Sequence, residues 1–328
     1  MDALSHNCFM DAATIPQTLQ QAIEFFLSPE NCERFMVELR WPGGVSCPRC
    51  GSVNVLRLAK QRRWECREKH PRRQFSAKVG TIFEDSPLPL KSWLMVVWMT
   101  SNCKNGVSSY EIHRALGVTQ KTAWFMLHRV RLAMQSVGGG KLSGEVEVDE
   151  TFIGGKARFM HKGKREQAIK GRGHSGKAAV MGLLQRHSGK GQSKVRLEVV
   201  PTTRKNVLHP IVEQHVEDGS SVYSDALKSY QNLGLYYQHQ VVDHAECYVR
   251  GEVHTNGLEN FWSLLKRAIK GTYVSVEPFH LFRYLDEQAF RFNSRDGNDA
   301  DRFVATMKQI EGRRVMYKDL IAKDEAAL

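Results

Sequence analysis

Three acidic residues are spaced as a phosphoryl-transfer site would need them. Asp149 closes the alternating run Glu145-Val146-Glu147-Val148, Asp225 closes Ser221-Val222-Tyr223-Ser224, and Glu259 follows Asp225 after thirty-three intervening residues. Phosphodiester cleavage needs a nucleophilic oxygen, neutralised phosphoryl oxygens and support for the leaving 3′-oxygen. A pair of Mg2+ (or Mn2+) ions supplies all three. Such hard ions take oxygen ligands and keep several waters, so a few carboxylates suffice. Without cations, clustered carboxylates repel one another and some are driven to hold protons. The expected assignment is Asp149 and Asp225 on a shared metal pair, with Glu259 holding the second ion and orienting the nucleophile. Other groups stay open as contributors. Glu145 and Glu147 share a strand face with Asp149 but precede the strand end, and Glu150 points the other way. Asp243 and Glu246 precede the Glu259 helix. Asn256 and Asn260 flank Glu259, and His254 either caps that helix or donates to substrate.

The stretch from His254 to Arg267 reads as a helix. Phe261, Leu264, Leu265 and Ala268 recur on one side, and Glu259, Ser263, Lys266 and Lys270 form a stripe on the other. A solvated face is the ordinary meaning of such a stripe; the two upstream aspartates weigh against it here. Lys266, two turns beyond Glu259, is expected to meet DNA phosphate.

A second constellation is Cys47-Pro48-Arg49-Cys50-Gly51, followed after fifteen residues by Cys66 and then His70. Two ligand pairs at ribbon-like separation predict a structural Cys3His Zn2+ site. The bland alternative is a buried Cys66 and a surface His70. Cys8, Cys32, Cys103 and Cys247 have no partner spacing. Arg57, Lys60, Arg62, Arg63, Arg67, Lys69, Arg72 and Arg73, interleaved with Trp64 and Phe75, suit a DNA-backbone binder.

The elements that must position these groups follow from periodicity. Residues 11 to 40 read as helical, broken at Ser28-Pro29. Helical patterning resumes at Leu90, Trp93, Leu94, Val97 and Trp98. Ser108, Gly117 and Thr119 then punctuate two short helices in a helix-turn-helix layout, which would present Gln120, Lys121 and His128 to a major groove. An ordinary helical hairpin is the competing reading. After the glycine run 138–140 the period becomes strand-like: residues 145–150, 178–184, 195–200, 222–225 and 240–243, with helices at 206–216, 257–270 and 278–293. Three strands, a helix, another strand and then helices predict an RNase-H-like α/β layer. The expected layout is multidomain: an N-terminal helical segment (1–40), a zinc ribbon (41–80), a helix-turn-helix-like helical domain (81–137), an α/β catalytic domain (138–300) and a C-terminal tail (301–328). Between the first two strands, residues 154–177 carry eight Lys/Arg against Glu166, which predicts a loop that orders on DNA; Lys156 and Arg172 are its DNA-binding candidates. Lys121 and Arg73 are the candidates upstream.

Lys plus Arg is 47 against 35 Asp plus Glu, a formal charge of +12, which argues for a polyanionic partner. No apolar run approaches the ~18 residues of a membrane span, and the first twenty residues lack a secretion signal. Seven scattered cysteines fit a reducing cytoplasm better than a disulfide framework.

The runs Val148-Asp149-Glu150-Thr151-Phe152-Ile153-Gly154-Gly155-Lys156, Tyr223-Ser224-Asp225 and His254–Arg267 resemble insertion-sequence transposases with an ISXO-type DDE domain. The Cys47–Cys50 knuckle, Arg73-Gln74-Phe75-Ser76 and Gly80-Thr81-Ile82-Phe83 resemble the same family's N-terminal half. The resemblance covers residues 20–295. It implies an RNase-H-like fold, cleavage at element ends and strand transfer by the freed 3′-OH. The family triad falls on Asp149, Asp225 and Glu259, and its following basic residue on Lys266. Relatives often have cysteine as the fourth zinc ligand, where this chain offers His70. The expected partners are double-stranded transposon-end and target DNA, bound by a homodimer or larger assembly in a prokaryotic cytoplasm, at the nucleoid. The rival readings are an inactive DNA-binding descendant and a nuclease without strand transfer.

Overall fold

The computed structural model describes residues 15–135, 140–155, 161–163, 166, 176–187, 193–242 and 253–321. It divides into two compact units, Met1–Met134 with Gly297–Ala322, and Gln135–Asp296 with Lys323–Leu328.

In the first unit, Thr18 and Gln21 form a capping box that opens α1 (Leu19–Leu27). Ser28 ends α1 and caps α2 (Pro29–Arg40), accepting from Asn31 N at 3.2 Å with Pro29 at the first position. A three-stranded antiparallel ribbon follows: β1 (Val55–Leu58), β2 (Arg63–Cys66) and β3 (Gln74–Phe75). Its core is aromatic, with Trp64 stacked on Phe75 at 6.0 Å and edge-on to Trp41 at 5.9 Å. The next helix, α3 (Leu90–Asn102), buries Trp93, Leu94, Val96, Val97 and Trp98. Helix α4 (Ser109–Leu116) ends on Gly117 at φ +66°, and α5 (Gln120–Met134) starts three residues later. The chain returns to this unit with α9 (Asp299–Met307), whose Phe303 meets Phe26, Phe35 and Trp98 at 5.4–5.6 Å, and with α10 (Tyr317–Ile321).

The second unit is a five-stranded mixed sheet in the order β6-β5-β4-β7-β8. Its strands are β4 (Glu145–Ile153), β5 (Ala178–Gln185), β6 (Lys194–Val200), β7 (Ser221–Asp225) and β8 (Gln238–Val242). The β4–β5 and β5–β6 pairs are antiparallel, whereas β4–β7 and β7–β8 are parallel. Helix α6 (Lys205–His215) covers one face through Leu208 and Val212, packed on Val146, Val148, Met181, Leu183 and Val222. Helices α7 (Asn256–Ala268) and α8 (Leu281–Asn293) cover the other, placing Leu258, Phe261, Trp262, Leu265 and Leu285 on Val180, Leu184 and Val195. Neighbouring strand residues point to opposite faces, so Glu145, Glu147 and Asp149 all lie on the α7 side of β4.

Two positions differ from the sequence expectation. Strand β4 continues past residue 150 to Ile153, so Asp149 lies inside the strand and not at its end. It lies instead at the limit of parallel pairing with β7, whose last matched pair is Val148 with Ser224. The helix expected at 257–270 stops at Ala268 and passes into a wider π turn, Ile269–Tyr273. No helix among the described residues is long and apolar enough to cross a membrane.

Candidate active site and zinc centre

One further step of the β4–β7 register sets Asp149 beside Asp225, on strands about 4.8 Å apart. Asp225 is the last residue of β7, and its Oδ1 accepts the backbone N–H of Leu227 at 3.0 Å. Asp149 Oδ1 accepts the amide of Glu150 at 2.8 Å, and Oδ2 accepts Trp262 Nε1 at 2.8 Å. Trp262 is one turn beyond Glu259 on α7, so the indole that ties the helix to Asp149 also brings Glu259 to the same place. Burial pushes the Asp149 carboxyl up to about 6, and the charges of Asp225 and Glu259 add to the push, against the Trp262 and Glu150 hydrogen bonds. Asp225 and Glu259 thus lie near enough for their charges to act on Asp149. Glu259 and its neighbours Asn256 and Asn260 are exposed. Lys266 stands seven residues beyond Glu259, on the same side of the helix and about 10 Å along it.

Glu150 turns to the opposite sheet face, as alternation requires. There it accepts from the buried Tyr230 hydroxyl. Burial, with Asp149 and Asp225 nearby, raises it to about 8. Both groups thus hold their protons more tightly folded than unfolded, where their ordinary values are 3.8 and 4.5. Their stability contribution is complete below the unfolded values and is lost as pH rises through about 6 and about 8. In the metal-free protein, Tm is expected to fall between pH 5.5 and 8. If these acids hold Mg2+, the added ion should raise Tm more at pH 8 than at pH 5.5, because a cation would need the ionised carboxylates. Equal Mg2+ stabilisation at both pH values in a thermal scan would contradict this.

Sequence periodicity alone does not single out Trp262 or Gly182. Gly182 pairs with Asp149 across β4–β5. A Cβ there would lie 2.6 Å from the Trp262 ring and 2.9 Å from Leu258. The missing side chain is what lets α7 settle onto the sheet. Gly182→Ala is expected to cost about 1–3 kcal/mol through overpacking, read as a lower denaturation midpoint; an unchanged midpoint would show that α7 sits otherwise.

In the first unit, Cys47, Cys50, Cys66 and His70 bring their ligand atoms within 4.8 Å of one another, the one such group among the described residues. Gly51 at φ +76° closes the knuckle, with its N–H donating to Cys47 O at 2.8 Å. Cys47 Sγ lies 3.5 Å from His70 Nε2, and Cys50 Sγ lies 3.6 Å from Cys66 Sγ. Bonds of about 2.3 Å to a tetrahedral ion give ligand–ligand edges of about 3.8 Å, so the donor set fits Zn2+. His70 Nδ1 donates to Pro71 O at 2.8 Å, leaving Nε2 for the metal. Burial pushes the Cys47 thiol up, but the amides of Arg49 and Cys50 bring it down to about 7, toward the thiolate a metal takes.

Two stretches of the chain match transposase families. Residues 141–293 match the ISXO2-like transposase domain and residues 27–68 match the transposase zinc-ribbon domain. The chain is also similar to a transposase-like protein of Haemophilus influenzae, 31% identical over 104 residues, spanning 31% of this chain and 84% of that protein. The chain belongs to the ISXO2-like transposase family. A protein in transposable element ISH50 of Halobacterium salinarum is 26% identical over 259 residues, covering 75% of this chain and 84% of its own length. The ribbon match ends at residue 68, so His70 lies beyond it, and the fold is what brings that imidazole to the three thiols.

The remaining DNA-facing candidates of this transposase fare unequally. Lys121 is exposed with Nζ 4.5 Å over the Tyr317 ring, and Gln120 donates to Ser109 Oγ at 2.8 Å. His128, expected to face a groove, is 0% exposed. Helix α5 is buried on nearly every side from Met126 to Met134, and His128 turns into that core. On the ribbon, Arg73 pairs with Glu65 at 3.2 Å, Arg57 with Glu33 at 2.6 Å, and Arg62 with Glu30. Lys60, Arg63, Arg67, Lys69 and Arg72 are exposed around them. Exposed ion pairs are weak, and of these three only Arg62–Glu30 is exposed on both sides. Lys156, Arg172, Asp243 and Glu246 lie outside the described residues.

Proposed function

We propose that this transposase cleaves the ends of its own insertion sequence and joins the freed 3′-OH to target DNA. The reading rests above all on Asp149 and Asp225 meeting on adjacent parallel strands under Glu259, with Asp149 driven up to about 6 by burial and by the other two acids. Carboxylates brought together at a half-buried place repel one another unless cations occupy it. Asp149, Asp225 and Glu259 would hold two Mg2+ (or Mn2+) ions, which supply charge neutralisation at the scissile phosphate. Support for an RNase-H-like fold comes from three antiparallel strands continued by two parallel ones, with helices on both faces.

The chain's own residues have distinct tasks in this scheme. Trp262 fixes the rotamer of Asp149, and the exposed Glu259 orients the attacking oxygen. Lys266 meets a phosphate two turns from Glu259. In the first step water adds to the phosphorus at the element end and the 3′-oxygen leaves as a hydroxyl. In the second, that hydroxyl attacks a target phosphodiester and displaces another 3′-oxygen, so the number of phosphodiester bonds is conserved. The zinc ribbon and the helix-turn-helix-like α4–α5 pair would bind terminal inverted repeats, with Arg73 and Lys121 among the contacts and Lys156 and Arg172 clamping backbone. Pairing two ends calls for a homodimer or larger assembly on DNA.

The test is an end-containing duplex incubated with the zinc-loaded protein and Mg2+, then with target plasmid. Nicked 3′-OH ends and joined products are expected. Nicks without joining would leave a nuclease, and binding without nicks would leave a DNA-binding descendant.

A further inference from the structure

At the start of helix α7 the N-cap residue Thr255 contributes no capping side-chain bond, and His254 Nδ1 takes the Asn256 N–H at 3.3 Å. An incompletely capped first turn leaves backbone N–H groups without partners, which is costly where the helix end is covered. Here a strand supplies a further acceptor. Glu147, 1% exposed, reaches from β4 so that Oε2 accepts the Leu258 N–H at 2.8 Å. The approach is close enough that a Cβ on Gly257 would lie 2.8 Å from the same oxygen. A carboxylate at a helix N-terminus is also favoured by the helix dipole. Its other oxygen, Oε1, accepts Arg186 Nε at 2.7 Å. Arg186 Nη2 then donates to both His254 O and His254 Nδ1 at 2.6 Å, and its guanidinium lies 4.6 Å over the Tyr223 ring. Nδ1 also lies 3.3 Å from Asn256 N and 3.4 Å from Glu147 Oε1. The chain just before α7, the first turn of α7 and the Asp149 strand are thus joined through one buried carboxylate and one guanidinium.

We propose that Glu147, held by Arg186, is a positioning residue: it seats the first turn of α7 on β4 and thereby sets where Glu259 presents its carboxylate beside Asp149. Two of the acids of β4 divide the work. Asp149 is a ligand, and Glu147, one same-face position earlier, fixes the helix that brings the third ligand. This inference rests on the metal-site reading above and deepens it. Groups that orient ligands from behind typically change metal affinity by about 10–100-fold when removed.

The test uses Mn2+ as the probe on the zinc-loaded full chain, with free Mn2+ read by electron paramagnetic resonance and folding followed by circular dichroism. Glu147→Gln is expected to weaken Mn2+ binding about tenfold in the native background. In a Glu259→Gln background it should weaken binding by less than about twofold, because two changes acting through one group are not additive. Arg186→Lys keeps the charge but loses the forked contact to Glu147 and His254. It should show the same pattern, and it carries the comparison if Glu147→Gln does not fold. Unchanged Mn2+ affinity in a folded variant overturns the proposal. So does a full tenfold loss repeated on top of Glu259→Gln, which would mean that the effect does not pass through Glu259. Native-like Mn2+ binding by Glu259→Gln alone would instead sink the metal-site reading, and the positioning role with it.

Discussion

Asp149→Asn or Asp225→Asn is expected to lower Mg2+-dependent cleavage of end DNA by roughly a thousandfold or more while leaving end binding within about twofold. The metal pair contributes several kcal/mol to phosphoryl transfer, and each ~1.4 kcal/mol is a factor of ten. Asparagine keeps the shape and one acceptor oxygen, so at position 149 the Trp262 Nε1 contact, 2.8 Å in the native protein, can survive. What is lost is the charge and, at position 149, the second acceptor, because an amide nitrogen cannot take the Glu150 N–H that Oδ1 accepts at 2.8 Å. Removing one of the mutually repelling carboxylates also relieves a strain on the metal-free fold, since Asp149 is pushed up by burial and by Asp225 and Glu259. Asp225→Asn, whose one backbone contact to Leu227 an amide oxygen can keep, should therefore be as stable as the parent without metal, or more so, and both variants should lose the stabilisation that Mg2+ confers. Gel-shift, cleavage and thermal-scan measurements on the same preparations separate these effects. Cleavage retained in either variant would remove that aspartate from the site.

The second large effect concerns zinc. Chelation, or Cys66→Ser, is expected to unfold the ribbon and abolish end binding. Its strands are only four, four and two residues long, and its apolar core is little more than Trp64, Phe75 and Trp41. Binding of structural Zn2+ is worth about 10–16 kcal/mol in small zinc-folded peptides, comparable with the whole stability of an ordinary domain, about 5–15 kcal/mol. One zinc per chain by elemental mass spectrometry, and a red shift of tryptophan emission on chelation, would follow. His70→Cys should keep the metal, whereas His70→Ala should weaken it strongly. Full zinc occupancy in His70→Ala at low free zinc would exclude the imidazole as fourth ligand.

Much of the architecture is legible along the chain because local chemistry dictates it. Ser28-Pro29 can only separate and restart helices, Gly117 supplies the left-handed residue that ends α4, and Thr119 accepts the Thr122 N–H at 3.1 Å to open α5. The zinc ligands are legible for a similar reason, since two short-range pairs need only one loop closure between them. His128 was not, because helical spacing marks a face of α5 without saying which neighbours cover it.

The acids show where that limit falls. The alternation Glu145-Val146-Glu147-Val148-Asp149 determines by itself that three carboxylates share one face of a strand and that Val146 and Val148 take the other. An acidic strand face ordinarily points to water. Only the tertiary structure decides that α7 covers it, that Gly182 leaves room for Trp262, and that Arg186 arrives from the end of β5 to balance Glu147. Alternation is set by the backbone of one strand, within a few residues. Which of three equivalent carboxylates becomes a helix anchor and which meets Asp225 depends on β7 and α7, more than seventy residues away, and on the register in which they pack.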